Sequence, residues 1–259
     1  MDPNSTTASK RLKDLAQQLL VYKSSLQPAP NTNSTHQSSE QNGVVQQHNF
    51  NKKDEANLVT TPSKRFKPNR AAVLVCIFED EEHDDLRVIL TKRSSNLNKH
   101  SGEVALPGGK TEEGDENDVQ TALREAHEEI GLDPKLVHVV AVLESFTTRY
   151  GVAVVPVIGI LYDKKKFNPV ANAAEVEAIF YAPLEMFLKD ENRSETQLEW
   201  MGEKYLLHFF DFRTDNTKYE IWALTAGILI TVASVVYQRQ PAFTVLRPKF
   251  WSGNYQCKF

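Results

Sequence analysis

Residues 107–132 read PGGKTEEGDENDVQTALREAHEEIGL, and the second half of this stretch sets the architecture. At about 100° per residue, Val119, Ala122, Leu123, Ala126 and Ile130 share one side of a helix from Asp118 to Ile130. Glu125, Glu128 and Glu129 share another side, rotated by roughly 120° from the apolar stripe. One face is built to pack on a sheet, and the other presents carboxylates at i, i+3 and i+4, close enough to repel. Eight acids (Glu112, Glu113, Asp115, Glu116, Asp118, Glu125, Glu128, Glu129) stand there against Lys110 and Arg124 alone. A hard divalent cation relieves such crowding, because Mg²⁺ takes oxygen ligands and bridges carboxylates to substrate phosphates. An acid-rich helix by itself reads first as a solvated face. The flanking loop favours metal: a candidate strand, Val104 to Leu106, runs into Gly108 and Gly109, which let the chain fold tightly around the helix start. Arg124 is placed to pair with acids of that loop in a fork and lock loop to helix.

On either side of this unit lie apolar, β-branched runs. AAVLVCIFE (71–79) and LRVILTKR (86–93) read as buried strands joined by the acidic turn DEEHDD. LVHVVAVLES (136–145) and VAVVPVIGILY (152–162) repeat the signal, with Pro156 suggesting an edge or a bulge. VEAIFYAPLEMFL (176–188) reads as a strand stopped at Pro183 and then a helix. Strands, one central helix, more strands and late helices imply a mixed α/β sandwich. The uncharged run 221–237 would span about 26 Å as a helix, short of the ~30 Å membrane core, so a buried helix is preferred over an anchor.

The ends differ from the middle. Residues 1–68 form a polar arm rich in Asn, Gln, Ser, Thr and Pro, expected to stay disordered apart from a short amphipathic helix carrying Leu12, Leu15, Leu19 and Tyr22. Residues 69–240 form the folded domain, and 241–259 a tail. Asp2, Asp14 and the single Arg11 within the first sixty residues argue against a transit peptide, so the cytoplasm is expected, with the mitochondrion as alternative. Of 259 residues 25% are charged, with formal net charge -4, which excludes a strongly basic nucleic-acid binder. Two cysteines, Cys76 and Cys257, fit neither a disulfide framework nor a zinc cluster.

The spacing Gly109, five residues, Asp115, then Arg124-Glu125-Ala126-His127-Glu128-Glu129-Ile130-Gly131-Leu132 resembles the Nudix box of the Nudix hydrolases. Asp115 stands where most members carry Glu, and eight residues rather than seven separate it from the arginine. Upstream, Leu90, Thr91, Arg93, Ser94, Gly102, Pro107, Gly108 and Gly109 are similar to the extra signature of the coenzyme A pyrophosphatase branch, with Asn98 in place of Arg and Leu106 in place of Phe. From a helical N-terminal stretch to a helix containing YEIW the chain resembles the plant-type members of that branch, well over roughly residues 70 to 240 and loosely at its ends.

The resemblance implies a Nudix-type α/β/α sandwich with a mixed β-sheet. It also implies hydrolysis of the coenzyme A pyrophosphate to adenosine 3',5'-bisphosphate and 4'-phosphopantetheine. The metal, Mg²⁺ or Mn²⁺, would be held by Glu125 and Glu129 with Glu128 alongside. A carboxylate must take the water's proton: Glu125, Glu128, or Glu175 from outside the helix, which reads equally as a surface acid. Arg93 is the candidate substrate-binding residue, with Lys92, Lys99 and His100 as further cations. Because the box encodes chemistry and not substrate, ADP-ribose, NADH or an oxidised dNTP stay open, as does a non-catalytic nucleotide-binding module.

Overall fold

The computed structural model describes residues 9–25 and 69–252. The polar arm between them and the last seven residues lie outside the described part.

The β-branched runs form the strands of one eight-stranded mixed sheet. Its strands are β1 (Arg70–Asp80), β2 (Asp85–Arg93), β3 (Val104–Ala105), β4 (Gly108–Lys110), β5 (Val137–Val142), β6 (Phe146–Thr147), β7 (Ala153–Leu161) and β8 (Val176–Pro183). The path runs β3-β2-β1-β7-β5, with β4 on β1, β6 on β7 and β8 on β2. Only β1 and β7 run parallel, in the register Arg70↔Ala153 to Ile77↔Ile160.

Alternation along β1 divides the core. Ala72, Leu74, Cys76 and Phe78 face helix α2 (Asp118–Ile130) and pack with Ala122, Ala126 and Ile130. Ala71, Val75 and Ile77 face the opposite side, which is covered by α1 (Lys10–Ser25) and α3 (Ala223–Tyr237). The result is the expected α/β/α sandwich with a mixed sheet.

Several particulars depart from the sequence reading. The N-terminal helix belongs to the core: Leu12, Leu15, Ala16 and Leu19 are buried, and Gln18 Nε2 donates to the carbonyls of Val235 and Val236 on α3. The helix after Pro183 is a 3-10 turn, Leu184–Leu188. Residues 193–222 form a second, antiparallel sheet of β9 (Arg193–Trp200), β10 (Glu203–Thr214) and β11 (Thr217–Trp222). YEIW therefore ends a strand rather than lying in a helix. This sheet docks on the first through Phe180 of β8, which stacks on Tyr219 and Phe212. The C-terminal stretch past residue 240 is also packed: Ala242 N donates to Leu188 O and Leu206 N to Leu246 O.

Pro156 is not on an edge, since β7 lies between β1 and β5. Its carbonyl accepts from Leu143 N, just past the end of β5, and the pairing resumes only at Phe146 in β6. Leu143 donates to Pro156 but the proline has no N–H to return the bond, and the β5 ladder stops at this point. The three aliphatic hydroxyls in the apolar run of helix α3 are each satisfied: Thr225 by Val104 O, Thr231 by Gly227 O and Ser234 by Ile230 O. No helix among the described residues is long and apolar enough to cross a membrane.

Candidate active site

Helix α2 starts and stops on local signals. The Asn117 side chain accepts from Gln120 N, one of the orphan amides of the first turn, and Gly131 closes the last turn with φ 70°. Between these caps the apolar stripe fixes the rotation of the helix on β1, and so decides where the three glutamates point.

They do not point alike. Glu129 is buried at 3% exposure, its Oε2 accepting from Gly108 N at 3.1 Å and its Oε1 lying 3.8 Å from Arg93 Nη1. Glu125 leans on the same glycine pair, with its carboxyl group directly against Gly109. Glu128 is exposed and turned to Arg124, which donates to it at 3.0 Å. The three do not form a group with every ligand atom within 4.8 Å of the others. Among the described residues only Asp80, Glu82 and His83 do so. That group is a partly exposed turn at the other end of β1, where Asp80 is paired with Arg87 and His83.

Burial sets the electrostatics. Loss of water pushes the Glu129 carboxyl up to about 7; the Gly108 amide and Arg93 oppose the rise, and the charges of Glu125 and Glu175 add to it. Burial also raises Glu125, opposed by Arg124 and reinforced by Glu128 and Glu175. Two partly desolvated carboxylates one helical turn apart, with the charge of Glu125 raising Glu129, are a donor set that fits a hard dication, which would hold both ionised.

Arg124 ties loop to helix as its spacing suggests. Nε and Nη2 each donate to Asp115 at 3.0 Å, a two-point fork, and Nη2 also reaches Lys110 O at 3.1 Å and Glu125 at 3.0 Å. These bonds hold the Asp115 carboxyl down at about 2, helped by the Glu112 amide and the Thr121 hydroxyl. The shorter aspartate and the longer spacer thus still make the clamp.

Arg93 and Glu175 come from strand ends. Arg93 closes β2, and its Nε is buried without a hydrogen-bond partner. Glu175 precedes β8; its carbonyl accepts from Ser94 N at 2.8 Å and its amide donates to Asn172 O. The carboxyl group of Glu175 is half-buried and close enough to raise both Glu125 and Glu129. Of the other cations named from the sequence, Lys92 pairs with Glu177 and His100 with Glu103. Lys99 is exposed. Two contributors escaped the sequence reading: the Gly108 amide on Glu129, and Asn172, whose amide donates to Glu129 O. Backbone donors leave no residue-type signature.

A pH test follows. Glu129 is ordinarily half-protonated near 4.5 and here near 7, so the metal-free folded state binds the extra proton between those values. Stability should therefore fall as pH rises from about 4.5 to 7, by on the order of 3 kcal/mol from this group. Glu129→Gln removes that loss. In urea melts with EDTA, the variant should gain on the wild type at pH 8 relative to pH 5. A pH-independent difference between the two would contradict the burial argument.

Comparison with known proteins agrees with this geometry. The family described as NUDIX domain matches residues 68–202. Nudix hydrolase 15, mitochondrial, of Arabidopsis thaliana is 66% identical over 186 residues, 72% of this chain; the matched stretch spans 65% of that relative's length. Nudix hydrolase 22, chloroplastic, of the same plant is 54% identical over 93% of this chain and 78% of its own. The peroxisomal coenzyme A diphosphatase NUDT7 of Mus musculus is 33% identical over 72% of this chain and 78% of its own.

Proposed function

This chain belongs to the Nudix hydrolase family, and on that premise we propose that it hydrolyses the pyrophosphate bond of coenzyme A or a derivative, giving adenosine 3',5'-bisphosphate and 4'-phosphopantetheine. Members of the family generally use divalent metals. Here Glu125 and Glu129, with Glu128 beside them, would hold Mg²⁺ or Mn²⁺. Such an ion neutralises a polyanionic anhydride and acidifies water.

The observation that carries the reading is Arg93, a guanidinium with one buried, unpartnered nitrogen, set 3.8 Å from the buried Glu129. Without a substrate that nitrogen costs desolvation; an anhydride oxygen beside the carboxylates satisfies it. In the proposed reaction water attacks one phosphorus, its proton passes to a carboxylate, and the bridging P–O bond breaks with charge leaving on the other phosphate. Glu175 is the assigned base, because it faces both helix carboxylates and is not tied up by Arg124; Glu125 and Glu128 are the alternatives. Arg93 meets the phosphate charge.

Support for coenzyme A comes from the segment 90–109 and from the diphosphatase relatives, which also include the peroxisomal coenzyme A diphosphatase ndx-8 of Caenorhabditis elegans, 34% identical. Of the two departures from the branch signature, Leu106 is buried in the core and Asn98 is exposed in the turn after β2. The plant relatives are named mitochondrial and chloroplastic, which supports an organellar location over the cytoplasmic one for this chain.

Product analysis decides the substrate. Purified protein with Mg²⁺ or Mn²⁺ should split coenzyme A into the two named products and act at least about tenfold less well on ADP-ribose, NADH and 8-oxo-dGTP. Preferred turnover of one of those three would move the assignment to that nucleotide. No turnover of any would favour a binding module.

A further inference from the structure

The turn between β6 and β7 is built tightly and yet ends in a bare aromatic ring. Thr148 N donates to Val152 O at 2.8 Å, Gly151 N to Thr148 O at 2.9 Å and Val152 N to Thr148 Oγ1 at 3.1 Å. Phe146 anchors its base in the core against Trp251. At the tip Tyr150 is 77% exposed, more than any other exposed large hydrophobic side chain among the described residues. The Arg149 guanidinium lies 5.4 Å from the ring centre. Elsewhere on the surface cations such as Lys92 and Lys165 are paired with acids, Glu177 and Glu81. Among the described residues no acid pairs with Arg149.

Topology says where this tip lies. Strand β7 runs parallel to β1 with Ala153 opposite Arg70, and Ala153 N donates to Asn69 O. On the other side of β1, Ala71 and Ala72 pair with Lys110 and Gly109 of β4. The turn before β7 therefore opens at the same end of the sheet as the glycine pair that cradles Glu125 and Glu129, two strand spacings from it across β1, about 10 Å.

We infer that this turn selects the nucleotide half of the substrate: Tyr150 stacks on the base, and Arg149 takes a phosphate carried on the ribose. The inference rests on the proposed coenzyme A reading for the identity of that half. An exposed tyrosine on a rigid turn gains nothing from folding, but it offers a preorganised π-face that any purine can cover. A guanidinium beside it, unneutralised by an acid, matches a phosphate monoester next to the base.

Calorimetry on the full chain, with the two product halves as separate probes, tests this without turnover. Tyr150→Ala should weaken adenosine 3',5'-bisphosphate about tenfold, the scale of one lost base stack. Tyr150→Phe should stay within about twofold, since it keeps the ring. Arg149→Ala should weaken the bisphosphate but leave 5'-AMP unchanged, and neither substitution should alter 4'-phosphopantetheine. Equal affinities for Tyr150→Ala and wild type, equal losses for both halves, or no binding of the bisphosphate by wild type would each overturn the inference. Wild-type turnover of coenzyme A, read separately, decides the substrate proposal. An enzyme that cleaves it while ignoring Tyr150 keeps that proposal and loses this one. A protein silent on coenzyme A whose bisphosphate affinity depends on Tyr150 does the reverse.

Discussion

Glu129→Gln should lower metal-dependent pyrophosphatase turnover by roughly 10²–10³-fold, the scale of losing one preorganised electrostatic group, with the fold retained. The amide keeps the shape of the side chain, and its carbonyl oxygen can still accept from Gly108 N. What disappears is the negative charge, from a place where burial leaves little water to replace it. The new NH₂ would also face Arg93, a donor against a donor. Glu125→Gln should behave alike. Glu128→Gln should cost far less, about tenfold or under, because that carboxylate is exposed and held by Arg124. Turnover and Mg²⁺ or Mn²⁺ titration on purified variants, with thermal melts as the folding control, check the order. A Glu128 variant more damaged than the Glu129 variant would reverse the assigned roles.

The glycine pair separates architecture from chemistry. A Cβ on Gly108 would sit 2.4 Å from Ala72 O and 2.6 Å from Val73 Cα, backbone of the central strand, and φ there is 155°. Gly108→Ala should therefore destabilise by about 3 kcal/mol or more, at or beyond the usual cost of overpacking. For a Cβ on Gly109 the nearest atoms would instead be those of the Glu125 carboxyl group, at 2.4 to 2.5 Å. That group sits at the end of a flexible side chain and can swing aside. Gly109→Ala should keep its melting midpoint to within about 3 °C but lose about 10²-fold in turnover, the penalty for a ligand displaced by an ångström. Neighbouring, chemically identical substitutions would thus give one destabilised and one inactive protein. A stable, active Gly109→Ala enzyme would mean that Glu125 does not work from the position it occupies here.

What could be read from the sequence was what repeats at short range. The helix from Asp118 to Ile130, its buried stripe and the Arg124 clamp all follow from spacing within a few turns, and the structure has each as expected. The β-branched runs of the first sheet were equally legible. The second sheet was not: β9 is exposed at nearly every position, so it carries no alternation to betray a strand. YEIW alternates Tyr219 and Ile221 inward, but four residues leave period 2 and period 3.6 hard to separate. Pro156 misled because a missing donor need not put a strand on an edge: here it falls within the sheet, where the β5 ladder gives out. The uneven roles of the glutamates were likewise out of reach, since helical phase groups Glu128 with its neighbours and only the loop carrying Asp115 turns Arg124 toward it.

The burial of α1 bears on how this protein can be matured. Leu12, Leu15, Ala16 and Leu19 are interior side chains of the domain, supplied from a helix that precedes the polar arm. A peptidase that trimmed the chain within or just after that helix would uncover a greasy scar on the face of the sheet turned away from the glycine pair, unless the severed piece stayed docked. Whatever compartment receives the enzyme, clipping that leaves it intact must spare Lys10 to Ser25.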